Sequence, residues 1–153
     1  MTKRLDHGAA APQARQAMMS LYTYVKECDL EVALIDMVWL RISQINGCAY
    51  CVDLHYRDAL ARGVAARKLN SVVTWAETQF FSARERAALA WAESLTLVAA
   101  TRAPDDVYEA AHAQFGDKEL VDLTYAIGLM NLLNRLGVGF RKEPEVKPEE
   151  RGA

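Results

Sequence analysis

Two thiols and an imidazole lie within eight residues in the run Asn46-Gly47-Cys48-Ala49-Tyr50-Cys51-Val52-Asp53-Leu54-His55. The segment after Gly47 reads as a helix. At ~100° per residue, Cys48, Cys51 and His55 then fall within a narrow arc on one face. Cysteines one turn apart can close a disulfide, and a histidine one turn further on can take or return the proton that such chemistry needs. The arrangement is that of a dithiol redox centre.

The thiolate is the reactive form of cysteine, and a helix N-terminus favours it through unpaired N–H groups and the helix dipole. Cys48 is placed to benefit from that terminus, whereas Cys51 is the sulfur one turn from His55. Spacing alone leaves open which attacks first. Asp36, in Leu34-Ile35-Asp36-Met37-Val38, is the one carboxylate inside a strongly apolar helical run. A charge there is costly unless it is paired or hydrogen-bonded. If the two helices pack together, Asp36 can meet His55 or a cysteine and complete a proton path. Arg41, on the same helix, is the rival partner that would make Asp36 structural.

Other chemistries compete for these residues. Cys48, Cys51, His55 and a carboxylate could hold zinc in a Cys₂His-plus-one site, although a closed structural site usually shows a second ligand pair, which this chain lacks. A non-catalytic helical assembly, or a thiol–disulfide relay serving a partner protein, are the further alternatives. Covalent haem attachment needs histidine directly after the second cysteine, and position 52 is valine. His7 and His112 read as surface or interhelical residues, and Trp39, Trp75 and Trp91 as core or interface anchors. Tyr50 can line a pocket beside the thiols or simply pack.

The elements that must position these groups are helices. Pro12 to Cys28 carries a helical stripe through Met18, Leu21, Tyr22 and Val25, with proline suited to the first turn. Leu30 to Ile45 is apolar nearly all round and is expected to be central and buried. Asn46-Gly47 ends it, and the next helix runs from about Cys48 to Arg62 with Gly63 beyond. Ala65 to Glu77 has helical composition with a weaker stripe. Ser82-Ala83-Arg84-Glu85 is a capping-box pattern, and Pro104-Asp105-Asp106 opens another helix. Asp117 is expected to cap the last long helix, which carries Leu120, Leu123, Ile127, Met130, Leu133 and Leu136. The expectation is one all-α domain of six or seven helices spanning residues 1–153, with a flexible charged tail from about Lys142.

Composition excludes several classes. Of 153 residues, 52% are hydrophobic and 25% charged, ordinary for a soluble domain. A net charge of −2 favours neither nucleic acid nor an anionic membrane as partner. No apolar run approaches the ~20 residues of a membrane span. The start, Met1-Thr2-Lys3-Arg4-Leu5-Asp6-His7, lacks the apolar core of a secretory signal, so the expected compartment is the cytoplasm. Three cysteines are too few for a disulfide scaffold, and Cys28 reads as a small buried hydrophobe.

The stretch Leu40-Arg41-Ile42-Ser43-Gln44-Ile45-Asn46-Gly47-Cys48-Ala49-Tyr50-Cys51-Val52-Asp53-Leu54-His55 closely resembles the core motif of the alkylhydroperoxidase AhpD-like family, within the carboxymuconolactone decarboxylase superfamily. Leu30 to Ile35, Phe81 to Glu93, Phe115 to Thr124 and Asn134-Arg135-Leu136 extend the likeness over most of the chain. The resemblance implies an AhpD-like helical fold assembled as homo-oligomers, often trimers or hexamers. It also implies peroxidase activity of the peroxiredoxin type. In that activity Cys48 and Cys51 reduce a hydroperoxide and become a disulfide, His55 relays protons, and an external dithiol reductant reopens the pair. Neither an organic cofactor nor a metal is called for. Two positions depart from the family's pattern. Asp36 stands where glutamate is usual, one methylene shorter, and Tyr50 stands where some members carry histidine before the second cysteine. The decarboxylase branch generally lacks the paired cysteines, so their presence argues against lactone decarboxylation.

Overall fold

A computed structural model describes residue 2 and residues 4–146. Among these, the secondary structure is entirely helical. In chain order the elements are α1 (His7–Ala10), α2 (Pro12–Glu27), α3 (Val32–Asn46), α4 (Ala49–Ala61), α5 (Ala66–Asn70), a 3₁₀ segment (Ser71–Glu77), α6 (Ala83–Thr96), α7 (Val98–Thr101), α8 (Asp105–His112) and α9 (Asp117–Gly139). None is long and apolar enough to cross a membrane.

Nine α-helices among the described residues exceed the six or seven expected from the sequence. The excess lies in single turns too short to leave a periodic stripe. In α1 the Asp6 carboxylate accepts hydrogen bonds from Gly8 and Ala9 N–H at 3.0 and 3.1 Å. The weak stripe over Ala65–Glu77 has its counterpart in a break: α5 gives way to a 3₁₀ segment kinked at Thr74 (φ −124°, ψ 31°). The capping box of α6 forms as expected, with Ser82 and Glu85 bonding each other's backbone N–H. At α9 the cap is Gly116 rather than Asp117. Glu119 accepts from the Gly116 N–H, and Asp117, already helical, pairs instead with His112 at 2.8 Å.

Helix α3 is central, with Leu34 through Leu40, Ile42 and Ser43 all buried, and it packs against α4, α6 and α9. Trp39, fully buried, donates its indole N–H to the Ala126 carbonyl of α9 at 2.9 Å, which fixes the ring. A second tie joins the C-terminal end of α3 to α9. Asn46 donates to the side-chain oxygens of Asn131 and Asn134 at 3.0 Å each, and Asn134 donates to Ser43 Oγ at 3.0 Å. These amide bonds hold α9 against the turn that precedes the thiols.

That turn is a Schellman motif. Gly47 N–H reaches the Gln44 carbonyl at 3.3 Å, and Cys48 N–H reaches the Ser43 carbonyl at 3.0 Å. Gly47 sits in the left-handed region at φ 68°, where a side chain is strained. The reversal makes Cys48 the N-cap of α4. Near the chain's start, Arg4 bonds the Gly139 and Phe140 carbonyls, and His7 packs on Phe140 with ring centroids 5.4 Å apart. Residues 142–146 have no regular secondary structure; the rest of the expected tail, 147–153, lies outside the described residues, as do Met1 and Lys3 of the expected non-signal start. Replacing Gly47 by alanine, which meets no neighbouring atom, isolates the backbone effect. Gly47→Ala is expected to lose about 1 kcal/mol in urea unfolding, and an unchanged midpoint would contradict the role given to this turn.

Candidate active site

Cys48, the N-cap of α4, and Cys51, in its first turn, form a disulfide with Cα atoms 5.3 Å apart. The Cys51 N–H points at Cys48 Sγ at 3.4 Å, so one of the unpaired amides of the helix start faces this sulfur. Both cysteines are buried, and so is His55, one turn beyond Cys51. Cys28 is the free thiol. It is half-buried rather than fully buried, and its Sγ lies 3.1 Å from the Val25 carbonyl.

Asp36 has no solvent exposure and faces α4, as the sequence reading allowed. Its Oδ1 lies 3.8 Å from His55 Nδ1, too far for a direct hydrogen bond but within strong electrostatic reach. Among the described residues no hydrogen-bond partner meets His55 Nδ1, which is buried. The carboxylate is held by two cations. Lys26 Nζ of α2 lies 2.8 Å from Oδ1, and Arg62 Nε, just past α4, lies 2.6 Å from Oδ2. Burial alone would raise the Asp36 pKa; His55, Lys26 and Arg62 outweigh it and hold the group at about 2. Asp36 is therefore ionised at neutral pH.

Arg41, the partner expected on the same helix, turns elsewhere. It pairs with Glu93 of α6 at 2.6 Å, and Glu93 also accepts from Trp75 Nε1 at 2.8 Å. From position 41 the side chain projects five residues, or about 140°, around the helix from Asp36. Lys26 and Arg62 could not be read as partners because they come from separate elements, brought together only by packing. Trp39 closes this side. Its ring lies 5.0 Å from the His55 ring, and Lys26 Nζ stands 4.7 Å over it.

Gly137 of α9 is the close-approach residue on the other side of the sulfurs. A Cβ there would sit 2.8 Å from Cys48 Sγ and 3.6 Å from Cys51 Sγ. Two cavities meet at this glycine. One, of about 270 Å³, reaches Cys51 and His55 between α2, α4 and α9; the other, of about 440 Å³, reaches Cys48. Tyr50 lines the first, with Lys142 Nζ 3.7 Å over its ring.

Among the described residues, the metal-ligand types that come together are Asp36, His55 and Asp58, with ligand atoms within 4.8 Å of one another. Both Asp36 oxygens already carry a cation, which disfavours a third. The grouping of Cys48 and Cys51 with His55 and a carboxylate, weighed for zinc, is replaced here by sulfurs bonded to each other.

A model of the carboxymuconolactone decarboxylase family matches residues 12–94, more than half of the chain. The chain belongs to the carboxymuconolactone decarboxylase family. The uncharacterized protein YdfG of Bacillus subtilis is 31% identical over 138 residues, covering 90% of this chain and 94% of that protein. YnjA of Escherichia coli, also uncharacterized, is 33% identical over 110 residues, 72% of this chain and 60% of that one. A crystal structure from Agrobacterium tumefaciens, of a protein of unknown function named as a candidate antioxidant defence protein AhpD, superposes with a TM-score of 0.92. It is 40% identical, over 95% of this chain and all of that one. The debrominase Bmp8 shares the fold, with a TM-score of 0.77 at 18% identity over 92% of this chain and 76% of its own. Within the family, this chain is AhpD-like.

The clamp on Asp36 generates a pH signature. Its folded pKa of about 2 lies below the ordinary 3.8. The stability it contributes is therefore fully present above about pH 4 and is lost as pH falls through 2. Asp36→Asn is expected to cost on the order of 2 kcal/mol at pH 7. The gap to wild type should shrink between pH 4 and pH 2 in denaturant titrations. A gap independent of pH would contradict the clamp.

Proposed function

We propose that this protein is a two-cysteine peroxidase that reduces organic hydroperoxides in antioxidant defence, without a bound organic cofactor. The observation that carries the reading is the Cys48–Cys51 disulfide, with Cys51 and His55 lining one cavity and the buried, ionised Asp36 behind the imidazole. The AhpD-type name of the 40% identical Agrobacterium protein supports it.

Cys51 shares the cavity with His55, so it is the sulfur that attacks. His55 takes the Cys51 proton, with the Asp36 carboxylate 3.8 Å behind the ring. The thiolate attacks the terminal peroxide oxygen, the O–O bond breaks, and a sulfenic acid forms on Cys51. The departing alkoxide takes the proton from His55 and leaves as alcohol. Cys48, whose thiolate the start of α4 favours, then displaces hydroxide from the sulfenic sulfur. Hydroxide leaves as water with the Cys48 proton, and the disulfide closes. An external dithiol restores both thiols by exchange. The shorter Asp36 leaves a 3.8 Å gap to His55, so it acts on the imidazole as a fixed charge.

The same reading includes a homo-oligomer. Val121, Tyr125 and Leu132 are exposed along one face of α9, a surface suited to a second copy. Light scattering should give a mass above the 17.0 kDa of one chain; a monomer at all concentrations would overturn that part.

Hydroperoxide consumption with a small dithiol as reductant tests the mechanism. Cys48→Ser and Cys51→Ser are expected to abolish turnover, and His55→Gln to slow it by roughly 10²-fold with the helical circular dichroism spectrum retained. Undiminished turnover in Cys51→Ser would sink the scheme. Rapid disulfide exchange combined with inertness to every hydroperoxide would favour a relay to a partner protein.

A further inference from the structure

The cavity over Cys51 and His55 is divided in character. Met18, Leu54, Met130 and Leu133 give it an apolar lining, while Arg15, Lys142 and His7 stand in the same lining as basic groups. Among the described residues no carboxylate lines it, although the chain as a whole carries a net charge of −2. Arg15 is exposed and, among the described residues, makes no side-chain hydrogen bond or ion pair. The nearby Asp6 carboxylate accepts from the backbone of α1. Lys142 has no ion-pair partner among the described residues either and stands over the Tyr50 ring. At about 270 Å³ the cavity is slightly smaller than typical ligand pockets, roughly 300–1,000 Å³. It takes an aryl group or a medium-length alkyl chain.

We infer that the preferred substrates are organic hydroperoxides that carry a carboxylate at the end remote from the peroxide, read by Arg15 with Lys142. This rests on the peroxidase reading and narrows it to a substrate class. The apolar body of the substrate fills the cavity and sets the peroxide against Cys51. The carboxylate stays at the basic groups, where the Arg15 guanidinium, which makes no side-chain hydrogen bond or ion pair among the described residues, can bind both oxygens. The chemistry is that of any hydroperoxide here: two thiols and ROOH give one disulfide, ROH and water.

Cumene hydroperoxide and its para-carboxylate analogue differ only in this charge. Each is mixed with the reduced full-length protein, and the rate of Cys48–Cys51 disulfide formation is followed in a single turnover without reductant. Wild type is expected to react about fivefold faster with the carboxylate, the factor given by roughly 1 kcal/mol for a partly exposed ion pair. Raising the salt concentration should shrink that ratio. Arg15→Ala should bring it near one, and Arg15→Glu should invert it. A wild-type ratio near one, or a ratio that survives both substitutions, would overturn the substrate class while leaving the peroxidase reading intact. Failure of both compounds to form the disulfide would overturn the peroxidase reading itself.

Discussion

A carboxylate without solvent contact, held between two cations, fixes the geometry of this site. Asp36 lies on the central helix α3, Lys26 on α2, and Arg62 just past α4. A buried carboxylate stripped of either partner is strongly destabilising, so the clamp requires these elements to come together in one arrangement. It places a fixed negative charge behind His55. The imidazole is in turn held from the side by Trp39, whose own N–H is anchored on α9. The charge that makes α3 costly to bury is thus the charge that stands 3.8 Å from the histidine.

The sulfurs depend on a second constraint, which is backbone rather than charge. Gly47 turns the chain in the left-handed region so that Cys48 opens α4, and Gly137 lets α9 pass within contact of both sulfurs. The Asn46, Asn131 and Asn134 amides hold that approach. A dithiol closed in by a helix on one side and left with cavities on the other faces can meet a small oxidant and, separately, a larger reductant. The fold does not choose the chemistry by itself, since the debrominase Bmp8 shares it.

Much of this was legible in the sequence because it is local. Cys48, Cys51 and His55 share one helical face by spacing alone, and Asn46-Gly47 announces the turn before them. Asp36 stands out as a charge in an apolar run, but spacing leaves open whether it meets His55 or pairs with Arg41; packing turns it toward α4. The identity of its partners was not legible. Arg41 was the plausible neighbour along the chain, yet it points to Glu93, and the charges that reach Asp36 come from positions 10 residues before and 26 residues after it. Gly137 gave no signal either, for a glycine inside a helical stripe reads as a mere weakness until the sulfurs lie against it. The single-turn helices α1 and α7 fall below the length at which periodicity can be seen.

The central claim is that Cys48 and Cys51 are the groups a hydroperoxide oxidises. Its most direct test is peptide mass spectrometry of reduced protein treated with one equivalent of an alkyl hydroperoxide and digested without reductant. Near-complete Cys48–Cys51 disulfide, with Cys28 still free, is the result this account predicts. Thiols at 48 and 51 that stay reduced, or oxidation confined to Cys28, would contradict it.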